Sequence, residues 1–166
     1  MILKALSLLQ PWASLVAIGA KRIETRSWLT LYRGPLVICA SRAWTNEARA
    51  LFYRAPFCQV LLPHFTEHWQ MPVGRAVCLV DLVGCYRIHD DPDLQFSQIC
   101  REQWQRERTF GDFAEDRFAW ALANVRRWAE PFAVRGQLGL FNLDVPDDLL
   151  PPDLSRQAAQ AQEAAG

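Results

Sequence analysis

Apolar positions run almost unbroken through two short stretches of the chain, Lys4–Leu9 and Pro35–Ser41. A short run of that kind, bounded by turn residues, is the pattern of a strand buried on both faces. Between the two, Pro11 opens a helix that continues to about Ile18, since proline is tolerated in a first helical turn, and Gly19 stops it. From Arg22 the period changes to two. Ile23, Thr25 and Ser27 fall on one face of a strand, and Arg22, Glu24, Arg26 and Trp28 fall on the other. Arg33-Gly34-Pro35 then makes a turn. Thr45–Ala55 predicts a helix capped by Thr45, and Gln59–Gln70 predicts a second.

Ala76–Ile88 carries the strongest strand pattern in the chain, with a bulge expected at Gly84. His89–Gln95 reads as a polar loop and Phe96–Arg108 as a helix. Two further strands, Arg117–Val125 and Leu138–Val145, are joined through PFAVRGQLG, in which Gly136–Gly139 reads as a hairpin turn. Beyond Val145 the composition turns to proline, alanine and glutamine, so residues 146–166 are expected to form a flexible tail after one domain spanning 1–145. Strands with helices inserted between them predict an α+β fold around a small β-barrel.

Composition narrows the function classes. The 166 residues carry zero formal net charge, so no global field marks the chain for nucleic acid or membrane, and any anion-binding surface must be local. Five cysteines without a C-x-x-C pair argue against a zinc ribbon and a disulfide framework. No metal and no cofactor is expected. HFTEH, His64–His68, matches a zinc-peptidase spacing, but a third ligand is lacking and it reads as a polar helix face. The apolar start is broken by Gln10-Pro11-Trp12 and reads as a strand, not a leader, and no run of about eighteen apolar residues occurs. A reduced, cytoplasmic setting is therefore expected. Trp44, Trp69, Trp104 and Trp128 read as core or rim packing.

Chemistry concentrates in GAKRIETRSW, Gly19–Trp28. Sixteen of the eighteen basic residues are arginines, which singles out Lys21, because lysine differs from arginine in being able to lose its proton in a desolvated site. Arg26, Arg33 and Lys21 can meet phosphate, and Trp12 or Trp28 offers a flat face to a base. A carboxylate at Glu24 either orients an arginine or accepts hydrogen bonds from a base edge.

These residues carry a resemblance. Leu6, Ser7, Gln10, Pro11, Trp12 and Ala13, then Gly19, Lys21, Glu24 and Arg26, then Arg33 and Gly34, resemble the opening motifs of the ASCH domain, a branch of the PUA-like barrels. GRAVCLVDLVGCYRI and PFAVRGQLGLFNLD resemble its central strand and closing hairpin, so the likeness covers about Ile2–Asp144. It is closest in kind to the domain in a transcription coactivator and to bacterial stand-alone relatives. The resemblance implies a cleft that holds single-stranded RNA, a nucleoside or a nucleotide. Lys21, Glu24 and Arg26 would line it, with Gln10, Trp12, Trp28 and Arg33 at its walls.

Two other activities follow from the same resemblance. One is an RNA- or nucleoside-directed hydrolase, an N4-acetylcytidine amidohydrolase or a ribonuclease, with Lys21 and Glu24 catalytic. The amidohydrolases of the family pair their lysine with a threonine three residues on, where this chain has Glu24; its Thr25 lies on the opposite strand face. The other is a protein-interaction module of the coactivator kind.

Overall fold

The computed structural model describes residues 1–156. Alternation along the central strands sends apolar side chains to both faces of one sheet. On β1 (Ile2–Leu8), Leu6 and Leu8 join one core layer while Leu3 and Ala5 join another. On β3 (Gly34–Ala40), Leu36, Ile38 and Ala40 point one way and Val37 and Cys39 the other. Each layer needs a cover. The first is covered by α1 (Trp12–Ala17), through Ala13, Val16 and Ala17. Gly19 follows this helix at φ +76°, a backbone angle that suits glycine as the predicted stop.

The second layer is covered by the chain's own C-terminal segment. Val145, Leu150 and Leu154 are buried there, with Trp128 and Phe132 packed alongside. Trp128 Nε1 donates to the Leu149 carbonyl at 2.8 Å, and Arg126 Nη1 reaches Asp153 at 3.0 Å. The flexible tail expected over 146–166 is thus described as far as Arg156, and that part lies against the sheet. Residues 157–166 lie outside the described part of the chain.

The sheet has six strands in the order β2-β5-β4-β3-β1-β6, where β2 is Ile23–Arg26, β4 Arg75–Arg87, β5 Phe118–Ala133 and β6 Leu140–Asp144. β1 and β3 run parallel, and the other pairs are antiparallel. The α+β architecture is as expected. The barrel is not closed by backbone pairing, because among the described residues the edge strands β2 and β6 do not join. The sheet curls far enough for Arg26 on β2 to donate from Nη2 to the Ser7 carbonyl on β1, 3.0 Å away. That open seam becomes the floor of the main cleft.

Several local expectations are corrected. Gln59–Gln70 is not one helix: α3 covers Phe57–Leu61, and a 3₁₀ turn follows at His68–Gln70. Pro63 explains the break, since proline has no amide proton to donate to a helical ladder. His64 and His68 therefore do not share a helical face. Thr45 does cap its helix, α2 (Asn46–Leu51), accepting from the Ala48 amide at 3.2 Å. In the expected polar loop, Asp91 caps a single turn, α4 (Pro92–Gln95), and the next helix, α5 (Arg101–Phe110), starts later than its sequence suggests.

β5 extends eight residues past the expected end at Val125. Its N-terminal half pairs with β4 on one side and β2 on the other; among the described residues its C-terminal half has β4 alone, so Pro131 sits where a missing donor costs nothing. Register shifts in the β4–β5 ladder include one between Leu82 and Gly84, the site of the expected bulge. Gly136–Gly139 is not a hairpin turn. It carries the chain from β5 across to β6, which pairs with β1. No helix among the described residues is long and apolar enough to cross a membrane.

Candidate nucleic-acid cleft

A cleft of about 990 Å³ opens where the C-terminal ends of the parallel strands β1 and β3 meet the edge strand β2. Ser7, Leu8 and Leu9 come from β1 and its end, Ser41 and Arg42 from the end of β3, and Glu24 and Arg26 from β2. Trp12 of α1 forms a wall, and the crossover Arg135–Gly139 forms the opposite rim. Gly136 is set close against Ser7: a Cβ there would stand 2.6 Å from Ser7 Oγ, so a larger residue would have to turn that hydroxyl aside. Leu9 and Leu138 are both exposed at the mouth.

The floor is a chain of charges. Glu24 is buried, with Oε1 3.3 Å from Arg26 Nε and Oε2 3.7 Å from Lys21 Nζ. Lys21 is only 1% exposed and donates to the Ile23 carbonyl. Behind it stands Glu107 of α5, fully buried. Its Oε1 accepts from the Arg22 amide at 2.6 Å and from Gln103 Nε2 at 2.7 Å, and its Oε2 from the Ile23 amide at 3.2 Å. Burial pushes the Glu107 carboxyl above the usual glutamate range, and the nearby Lys21 charge and these hydrogen bonds oppose that push. The carboxylate fastens the start of β2 to α5, and so aims Glu24 and Arg26 at the cleft.

A smaller hollow of about 340 Å³ lies on the other side of Trp12 and Glu24, and Lys21, Thr25 and Asp112 face it. Trp12 separates the two spaces, its ring held by a 2.6 Å bond from Nε1 to the Phe110 carbonyl. Thr25 Oγ1 accepts from the Asp112 amide at 3.2 Å.

Of the seven residues expected in the site, four are brought together: Trp12, Lys21, Glu24 and Arg26. Three stand elsewhere. Gln10 is fully buried and structural, with Nε2 donating to the Pro72 carbonyl at 2.6 Å and Oε1 accepting from the Ser14 amide at 3.1 Å. Trp28 packs edge-on against the core residue Trp120, ring centroids 4.6 Å apart. Arg33 lies at the start of β3, a seven-residue strand away from the cleft, and its guanidinium binds the Thr30 and Tyr32 carbonyls.

Two further cleft residues, Arg42 and Arg135, are not among those expected from the sequence. Both are exposed on the rim, and among the described residues neither pairs with an acid. The cleft lining thus holds three guanidinium groups, of Arg26, Arg42 and Arg135, against one carboxylate, in a chain with no net charge. The signal for Arg135 in the sequence is the R-G-Q-L-G segment, whose glycines read as a turn. No group of three or more histidine, cysteine, aspartate or glutamate side chains among the described residues is placed to hold a metal ion.

The sequence model of the ASCH domain matches residues 6–132, which takes in β1 to nearly the end of β5. The chain belongs to the ASCH domain family. It is 29% identical over 147 residues to activating signal cointegrator 1 of Mus musculus, and 29% identical over 144 residues to that of Homo sapiens. Each match covers 84% of this chain and 22% of the relative, so the ASCH chain spans about a fifth of the length of those curated proteins. Its fold is similar to a crystal structure of ASCH from Zymomonas mobilis, with a TM-score of 0.51 at 16% identity, over 85% of this chain and 87% of that one. A point variant of the same bacterial protein gives 0.50 at 14% identity, over 85% and 89%. At such identities the likeness concerns the fold.

Proposed function

We propose that this ASCH domain binds single-stranded RNA in the cleft between β1, β2 and the Arg135–Gly139 crossover. The observation that carries the reading is the local excess of arginine over carboxylate in the cleft of a chain with zero net charge. Phosphates would be met at the rim by Arg42 and Arg135, whose guanidinium groups are exposed and free of acid partners among the described residues. Trp12, Leu9 and Leu138 supply apolar surface for a base. Glu24, with both oxygens already turned toward cations, keeps lone pairs for the amino group of a base edge.

Binding is favoured over hydrolysis by the state of Lys21. Its ammonium is almost wholly enclosed, donates to a backbone carbonyl and stands beside Glu24, which leaves it committed to structure. The name of the mammalian relatives belongs to proteins about four times as long, and no feature of the cleft points to a protein partner.

Fluorescence anisotropy with a short labelled single-stranded RNA, titrated at several salt concentrations, tests the reading. With the two rim arginines available to phosphate, log affinity should fall against log salt with a slope of about 1.4 in magnitude. Arg42→Ala and Arg135→Ala should each weaken binding and lower that slope by about 0.7, while Arg33→Ala should change neither. Binding that ignores salt, or that depends on Arg33 and not on Arg135, overturns the assignment of the cleft.

A further inference from the structure

A second cavity, of about 750 Å³, lies on the far side of α1, between β4, the C-terminal half of β5 and the Phe65–Val73 segment. On a helix, residues two apart point roughly 200° from each other, which is why Trp12 walls the main cleft while Ser14 walls this cavity. Its lining departs from ordinary core packing in three ways. Trp69, expected from sequence to pack, is 67% exposed. Arg127 and Arg75 bring two guanidinium groups against the single carboxylate of Glu130, and neither arginine pairs with an acid among the described residues. Ser14 is 1% exposed, yet its Oγ has no hydrogen-bond partner among the described residues.

The polar groups are held in place. Arg127 lies over the Phe65 ring, 5.7 Å from its centroid, and Arg75 Nη1 donates to the Pro131 carbonyl at 2.8 Å. Alternation on β5 separates Arg127 from Arg126, which faces Asp81 and Asp153 on the other side of the sheet. An exposed indole beside oriented cations is the combination that stacks a base and meets its phosphate.

We propose that this cavity is a second nucleotide site, stacking a base on Trp69 and holding its phosphate on Arg127 and Arg75. The ligand class rests on the nucleic-acid reading of the main cleft; the location and the residues do not. Two sites on opposite sides of α1 would let the domain hold two nucleotides at once.

The test uses the full chain with 5-fluorotryptophan in place of its seven tryptophans, followed by fluorine NMR during titration with AMP and then with a short single-stranded RNA. Trp69→Phe assigns its resonance, and Trp12→Phe assigns that of the main cleft. The Trp69 signal should shift and saturate with AMP, and Arg127→Ala should weaken that titration by at least about five-fold while leaving the Trp12 titration unchanged. If the RNA saturates Trp69 at lower concentration than AMP does, the site belongs to a strand. If AMP alone does so, the site takes free nucleotide; both results support it. A Trp69 signal that stays still while Trp12 moves overturns this inference and leaves the main cleft standing. If Trp69 moves and Trp12 does not, the reading of the main cleft fails and the second site survives.

Discussion

Replacing Glu107 with alanine should be among the most damaging single changes in this domain, although Glu107 touches neither cavity directly. The carboxylate accepts the Arg22 and Ile23 amides at 2.6 and 3.2 Å and is the acid behind Lys21. Alanine leaves two backbone amides and the Gln103 side-chain amide without this partner, and Lys21 with Glu24 as its remaining acid. Each stranded backbone donor costs about 1–3 kcal/mol. Two such donors give about 4 kcal/mol in total. For a chain of this size that lowers Tm by about 10 °C. Thermal unfolding followed by circular dichroism measures it. Hydrogen exchange should place the loss in β2, the four-residue edge strand whose only partner among the described residues is β5.

A Tm within about 2 °C of wild type, or protection of β2 unchanged, would show that the carboxylate does not hold the strand. The pH dependence gives a second check. The native pKa of Glu107 is raised above its ordinary value of 4.5, so the folded state holds that proton more tightly than the unfolded chain. Its ionisation therefore costs stability that is not lost below pH 4.5 and is lost progressively as pH rises through the native pKa. In urea unfolding, wild type should lose stability relative to Glu107→Gln as pH climbs from 4.5 toward neutrality. A constant difference contradicts the assignment.

Three further outcomes are expected. Truncation after Val145 removes the cover over the second core layer, and burying Leu150 and Leu154 is worth about 4 kcal/mol together, so a midpoint in urea equal to that of the full chain would refute the packing of this segment. Burial pushes the Cys39 thiol up to about 12 and the Cys78 thiol higher still, so iodoacetamide on the folded protein should modify exposed Cys100 first and spare both; early labelling of Cys39 would count against its burial. Lys21→Met keeps most of the side-chain length but removes the ammonium between Ile23 O and Glu24, and should cost about 3 kcal/mol in chemical denaturation, whereas an unchanged midpoint would mean the lysine is not paired.

Much of the fold could be read from sequence because its signals are local. The alternation around Glu24, the proline and glycine bounding α1, and the apolar run of β3 each specify an element without reference to the rest of the chain. The errors came where partners decide. The strand pattern from Arg117 ends at Val125, yet β5 runs on through Pro131, which is tolerable because no second neighbour strand lies there among the described residues. PLVICAS signalled two buried faces, yet nothing local said that Leu150 and Leu154 would cover one of them.

The site divides along the same line. Trp12, Lys21, Glu24 and Arg26 lie within one strand-helix-strand unit and were found together. Arg42 and Arg135 follow different strands and meet only because β6 pairs with β1, which draws the crossover to the ends of β1 and β3. Arg33 was grouped with them by nearness in sequence. A seven-residue strand puts it roughly 20 Å away, at the other end of the parallel pair.

The most direct test of the central claim is where RNA touches the domain. In a nitrogen–proton correlation spectrum recorded during titration with a short single-stranded RNA, the account predicts saturable shifts at the Gly136 and Gly139 amides, the Ser7 amide and the Trp12 indole, with the Arg33 amide and the Trp28 indole unmoved. Shifts centred on Trp28 and Arg33, with the Arg135–Gly139 crossover silent, would contradict it.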